Sequence, residues 1–191
     1  DEYGDRNWQN TYGGKKEDVG KSIDAFSDNS FLLTCETESF GRGKKDIWVL
    51  KIDSNGKIIW DNTFGGKKND IYGSTLVYSN NSIFISGQRP IKNKFSLRSI
   101  LTFNSKKNSP ESANYSSFIA RLNGKGETVW ENDVFEDQKC ITPYMTILGK
   151  NILIAGQKST PFNGSGDAWV ISINKKGDII WDANFGGRGA D

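Results

Sequence analysis

One feature constrains this chain more than any other: a tryptophan-led segment that recurs four times. It reads WQNTYGGKKED from Trp8, WDNTFGGKKND from Trp60, WENDVFEDQKC from Trp130 and WDANFGGRGAD from Trp181. The tryptophans are spaced by 52, 70 and 51 residues. Ahead of three of them lies a second block, LKIDSNGKIIW, ARLNGKGETVW and SINKKGDIIW, each containing [Asp/Asn]-x-x-Gly-x-x-x-Trp. A third block precedes that one: KKDIWVLKI, NYSSFIARL and GDAWVISI. Three linked blocks at shared offsets define a structural repeat, and a period near 50 residues requires each unit to bury its faces against its neighbours.

Within a unit the pattern is β. Asp46–Ile52 alternates, with Ile47, Val49 and Lys51 on one face and Trp48, Leu50 and Ile52 on the other. Ser22–Ser27 and Ser30–Glu36 are short apolar or β-branched runs divided by Asp28-Asn29. Asp53-Ser54-Asn55-Gly56 is turn chemistry, because Asn and Gly tolerate positive φ. Lys57–Phe64 then reads as a fourth strand, and Tyr144–Leu148, Asn151–Ala155, Asp167–Ile173 and Asp178–Phe185 repeat the scheme. No longer segment carries a helical period. Four short antiparallel strands per unit predict an all-β protein of β-propeller blades. The expected organisation is an outer strand and handover at 1–16, blades at 17–64, 69–134 and 139–185, and a further handover at 186–191. That leaves about three blades plus an orphan outer strand at Trp8. Propellers close with four or more blades, so the chain is expected to belong to a larger propeller, completed by blades of the same or another chain.

The repeat residues receive structural roles. Trp8, Trp60, Trp130 and Trp181 are expected in the core. Tyr12-Gly13-Gly14 and Phe64-Gly65-Gly66 are expected at the handover between blades, the aromatic wedged between neighbours and the glycines allowing a tight crossing. Asp18 and Asp70 stand four residues before Ser22 and Ser74 and are expected to hydrogen-bond to them. The third repeat departs from this, with Val134, Phe135 and Glu136 in place of the aromatic and the glycine pair, and Cys140 and Tyr144 in place of the Asp and Ser.

These strings resemble the propeller repeats of secreted and surface lipoproteins of Gram-negative bacteria, in which units ending in a WxxxFGG step recur along the chain. The resemblance spans nearly all of residues 8–191. It implies a propeller fold and an extracellular or cell-surface location, the periplasm being the other exported compartment, and it implies no particular activity. The hairpin before each tryptophan also resembles the tryptophan docking motif of quinoprotein-like propellers, though with a shorter Asp-to-Gly interval. It resembles the sialidase Asp box less, since the Ser/Thr-x-Asp-x-Gly spacing is missing.

Composition narrows function. The 25 Lys+Arg nearly balance 23 Asp+Glu, which argues against a nucleic-acid binder. There is no histidine, which removes Ser-His-Asp and Cys-His nucleophile systems and His-ligated zinc or haem. No apolar run approaches a membrane span, and the first residues do not read as a signal sequence. Cys35 and Cys140 are two free thiols or one long-range bridge. The second repeat holds an insertion at 90–115 that carries Lys92, Lys94, Phe95, Arg98, Phe103, Lys106 and Lys107. It reads either as a rim loop suited to an acidic protein or glycan surface or as a solvated loop; Phe162 is a second candidate sugar platform. Oxygen-rich glycine loops such as Asn163–Asp167 can hold Ca²⁺, but no EF-type loop or nonapeptide repeat is present, so no metal site or cofactor is assigned. The expectation is a non-catalytic binding or scaffold segment of an exported bacterial protein, with protein or glycan partners and no catalytic residue. Two alternatives stand beside it: a carbohydrate-active enzyme using loop carboxylates such as Glu36 and Glu38, and a structural subunit whose blades complete a multi-chain assembly.

Overall fold

The computed structural model of the chain describes residues 5–90, 115–134, 140–159 and 166–186. The 91–114 insertion with its basic and aromatic candidates, the handover at 135–139, Phe162 and residues 187–191 lie outside the described residues.

Among the described residues the protein is all-β and has no helix; no helix is long and apolar enough to cross a membrane. Twelve strands form three four-stranded antiparallel sheets. The first holds β1 (Asp18–Ala25), β2 (Phe31–Thr37), β3 (Asp46–Ile52) and β4 (Ile58–Phe64). The second holds β5 (Ile71–Ser79), β6 (Ser82–Pro90), β7 (Tyr115–Leu122) and β8 (Thr128–Val134). The third holds β9 (Cys140–Leu148), β10 (Asn151–Ser159), β11 (Gly166–Ile173) and β12 (Ile179–Phe185). In each sheet the strands lie in chain order, each paired antiparallel with its neighbour in sequence, as consecutive elements commonly are.

The third and fourth strands of each sheet are joined by the turn the sequence predicts. Gly56, Gly126 and Gly177 adopt φ of 78°, 79° and 88°, a region closed to most side chains. The amide of each glycine donates to the carbonyl of Asp53, Asn123 or Asn174 three residues earlier. The side-chain oxygens of the same three residues accept from Asn55 and Lys57, from Lys125 and Glu127, and from Lys176 and Asp178. An acceptor at the first position and a glycine at the fourth therefore specify the turn from both ends.

The sheets are stacked so that β1 packs against β5 and β5 against β9, and they do not close on themselves. Between the first two sheets, Leu32, Ile47, Val49 and Phe64 meet Ile83, Ile85, Phe118 and Leu122. Between the second and third, Phe84 and Ile119 meet Ile152, Ile154, Trp169 and Ile171. β3 is buried along its whole length because both of its faces are covered, as in any sheet sandwiched between layers. At the innermost strands the seam is polar: Tyr72, Ser22, Thr75 and Thr34 join hydroxyls over 2.7–3.0 Å.

Three expectations about the repeat are corrected. Residues 8–12 form no strand; they lie against the outer face of the first sheet and are held by side chains, so the segment has a partner in this chain. The repeat tryptophans are not core. Trp60 and Trp130 are only partly buried and Trp8 and Trp181 are exposed, because the indole of each of the first three reaches out to the neighbouring sheet. Asp18 and Asp70 do not bond Ser22 and Ser74. They fold back onto the amides of Gly14 and Gly66, both over 2.8 Å, while Ser22 is taken by Tyr72 and Thr75 and Ser74 accepts from Met145. The register shifts between Gly20 and Ser22 and between Tyr72 and Ser74 break the alternation that would otherwise set residues four apart on one face.

Candidate functional site

The tryptophan segments form one recurring contact. The indole N–H of Trp8 donates to the carbonyl of Ser54 at 2.8 Å, that of Trp60 to Gly124 at 3.0 Å, and that of Trp130 to Lys175 at 3.0 Å. Each acceptor is the second residue of an [Asp/Asn]-x-x-Gly turn. Two residues further along, the carboxamides of Asn10 and Asn62 donate to the carbonyls of Gly56 and Gly126 at 3.1 and 3.0 Å. A Cβ on Gly126 would lie 2.6 Å from the Trp60 ring, so the indole sits flat against a backbone that only glycine leaves bare. These residues are seam structure.

The chemistry gathers instead where the first sheet hands over to the second. A cleft of about 380 Å³ is lined there by Arg42, Asp46, Asn62, Thr63, Phe64 and Gly65 of the first sheet and its loops, and by Thr128 and Glu131 of the second. Asp46 opens β3 and is 1% exposed. Its Oδ2 accepts from the amides of Arg42 and Gly43, each at 2.9 Å. Its Oδ1 is buried and has no partner. Asp70 stands just before β5 and is 2% exposed; its amide donates to the carbonyl of Lys45, beside Asp46, at 2.8 Å. The two carboxylates face each other across Gly65. A Cβ there would overlap Asp46 Oδ1 and lie 2.8 Å from Asp70 Oδ2.

This environment divides the pair electrostatically. Burial first, and then the nearby charges of Asp46 and Glu131, push the Asp70 carboxyl up to about 6, against the opposing pull of the Gly66 amide and Arg89. Two close carboxylates out of water cannot both hold full charge cheaply, so one keeps its proton to higher pH. Arg89 sits over the Phe118 ring, 5.0 Å from its centroid, and ion-pairs with Glu131 and, at 2.6 Å, with Asp133. Asp18, the repeat counterpart of Asp70, behaves oppositely. Burial raises its carboxyl, but donors from Thr37, Ser39 and Gly14 outweigh it and hold it below the usual range.

The structure places Gly65 of the repeat in the lining of this cleft, with Asp70 buried directly against it, and leaves Trp8, Trp60, Trp130, Gly13, Gly14 and Asp18 at the seams. Glu36 and Glu38, the carboxylates that sequence reasoning considered, are neutralised: Glu36 pairs with Lys21 at 2.9 Å and accepts the Tyr72 amide, and Glu38 pairs with Lys45 at 3.6 Å. Asp46 was missed. Its signal is the Asp-x-Trp step shared by Asp46–Trp48 and Asp167–Trp169. Asp167 in turn crowds Gly186 as Asp46 crowds Gly65. Cys35 is a buried free thiol, so it does not bridge to Cys140. No group of three or more metal-ligating side chains occurs among the described residues.

No family model matches the chain, and no curated protein matches it. Solved structures that resemble it include a tryptophan-to-alanine mutant of Synechocystis apocarotenoid oxygenase, at 11% identity and a TM-score of 0.47, and an ACO/RPE65 chimera, at 11% and 0.45. Each match covers 87% of this chain, which spans 38% of the length of either structure. The first of these is an oxygenase, so the expectation of a non-catalytic scaffold, and with it of a protein that is no enzyme, is withdrawn. At this identity and TM-score neither reaction nor substrate passes to this chain.

Proposed function

We propose that the three sheets are consecutive blades of a propeller of the exported-lipoprotein kind, and that the cleft between the first two carries out acid–base hydrolysis of a carbohydrate. The observation that supports this reading is the Asp46–Asp70 pair, with one unpartnered buried oxygen and one carboxyl raised to about 6. A carboxyl raised by its environment beside a second carboxyl is a usual basis for assigning a general acid. Asp70, protonated in mildly acidic solution, gives its proton to the departing glycosidic oxygen. Both carboxyls crowd the one Cβ position at Gly65, too close to hold a water between them, so the Asp46 carboxylate bonds to the anomeric carbon as that oxygen leaves, and Asp70 then takes a proton from the water that displaces Asp46. Asn62, Thr63, Thr128 and Arg42 offer the mixed donors and acceptors that sugar hydroxyls need, and the cleft volume falls in the range of small-molecule sites. The resemblance of the repeats supports an exported placement, where glycans are met.

The test is a panel of chromogenic glycosides assayed at pH 5–7 with the native protein, Asp46→Asn and Asp70→Asn, each checked for native circular dichroism. Turnover that drops by about 10²-fold or more in both variants is expected for the loss of an acid–base group or of the nucleophile. No turnover across the panel, or turnover that survives Asp46→Asn, overturns the assignment.

A further inference from the structure

The seam uses two parts, a tryptophan segment and an [Asp/Asn]-x-x-Gly turn, and the chain holds them in unequal number. There are four segments, led by Trp8, Trp60, Trp130 and Trp181, and, among the described residues, three such hairpin turns, at 53–56, 123–126 and 174–177. The first three segments occupy the three turns, which leaves Trp181 without one. On β12, Trp181 and Phe185 share a face, and the strand register carries that face through Val170 and Ala155 to Tyr144 on β9. This is the same face that in the first two sheets is covered by the next sheet. Here it is open: Trp181 is 44% exposed, Phe185 58% and Tyr144 69%, whereas Phe64, the counterpart of Phe185, is 6% exposed. A contiguous apolar sheet face left in water marks a docking surface.

We propose that this face binds a second copy of the chain head to tail, receiving the partner's turn at residues 53–56 in the way Trp60 receives the turn at 123–126. Continuity with the two seams already built identifies the occupant as a sheet of this repeat. Among the three turns, 53–56 is the one that can be vacated. Its resident segment, residues 8–12, belongs to no sheet and is held by side-chain contacts of Trp8, Asn10 and Tyr12, whereas Trp60 and Trp130 are anchored in strands. The partner's residues 8–12 and the incoming Trp181 segment therefore compete for one turn. The match is also incomplete. Where Asn10 and Asn62 donate to a turn carbonyl, the last segment carries Ala183, so the contact lacks one hydrogen bond and the association is weak. This inference rests on seam geometry and is independent of the chemistry assigned to Asp46 and Asp70.

The test is measurement of self-association by sedimentation in the analytical ultracentrifuge, from micromolar to millimolar protein, on the native chain and three variants. Concentration-dependent association is expected in the native chain. Ala183→Asn restores the missing donor and tightens association by about fivefold, the effect of one hydrogen bond. Trp181→Ala weakens it by about tenfold or more, as loss of a central aromatic anchor does. Trp8→Ala frees the acceptor turn and strengthens it. All three positions are exposed or at a strand edge, and circular dichroism confirms the fold of each. A monomer in the native chain, Ala183→Asn and Trp8→Ala alike overturns the proposal, and so does association indifferent to Trp181→Ala. Association weakened by Trp181→Ala but not strengthened by Trp8→Ala overturns head-to-tail docking in favour of face-to-face pairing.

Discussion

Asp70→Asn separates the electrostatics of the cleft from its packing. The carboxyl is raised from 3.8 to about 6, a shift of about two pH units, equivalent to about 3 kcal/mol. A carboxyl raised in the folded state favours folding while it is protonated. Its contribution is fully present below the unfolded value near 4 and is lost as pH rises through 6. Asparagine keeps an acceptor for the Gly66 amide and never ionises. The stability of the native protein minus that of Asp70→Asn should therefore be steady below about pH 4 and fall between 4 and 6. Above pH 7 it should level off about 2–3 kcal/mol lower. Taking the difference cancels the carboxylates that do not interact with Asp70, including Asp28, which Ser30 and Lys51 hold down to about 2. Urea unfolding at unit steps from pH 4 to 8 measures it. A difference that stays flat, or that rises with pH, refutes the claim that Asp70 is strained by burial beside Asp46.

Equivalent repeat positions should differ in predictable ways. Trp60→Ala removes an indole from the Gly126 turn and should cost about 2–3 kcal/mol in chemical denaturation, while Trp181→Ala, on an open face, should cost less than about 0.5 kcal/mol; equal costs would contradict the seam assignment. Gly65→Ala should destabilise severely, because a Cβ overlaps Asp46, whereas Gly66→Ala meets nothing within 4 Å and should leave thermal unfolding near native. Burial, and then the charge of Asp18, pushes the Cys35 thiol up to about 11. In a Cys140→Ser background it should therefore resist thiol reagents at pH 8 until urea unfolds the chain, and rapid labelling of the native protein would contradict its burial.

Much of this protein is written locally. β3 runs Asp46–Ile52 as its alternation predicts, and the three [Asp/Asn]-x-x-Gly turns form where side-chain acceptors and a glycine at positive φ require them. Strand extension was less legible: β9 begins at Cys140 and β10 runs to Ser159, beyond the apolar cores of those segments, because ladder hydrogen bonds carry polar residues into a strand once its neighbour is in place. The sequence by itself determined an all-β chain of repeated four-stranded units, since side-chain period and turn chemistry act over a few residues. Only the tertiary structure decided what each repeat residue meets. Trp60 lies against a turn 64 residues away, Asp46 and Asp70 converge across a glycine, and Trp181, in a similar local sequence, is left facing water. Which sheet covers a face is a contact between distant segments, and no local pattern encodes it.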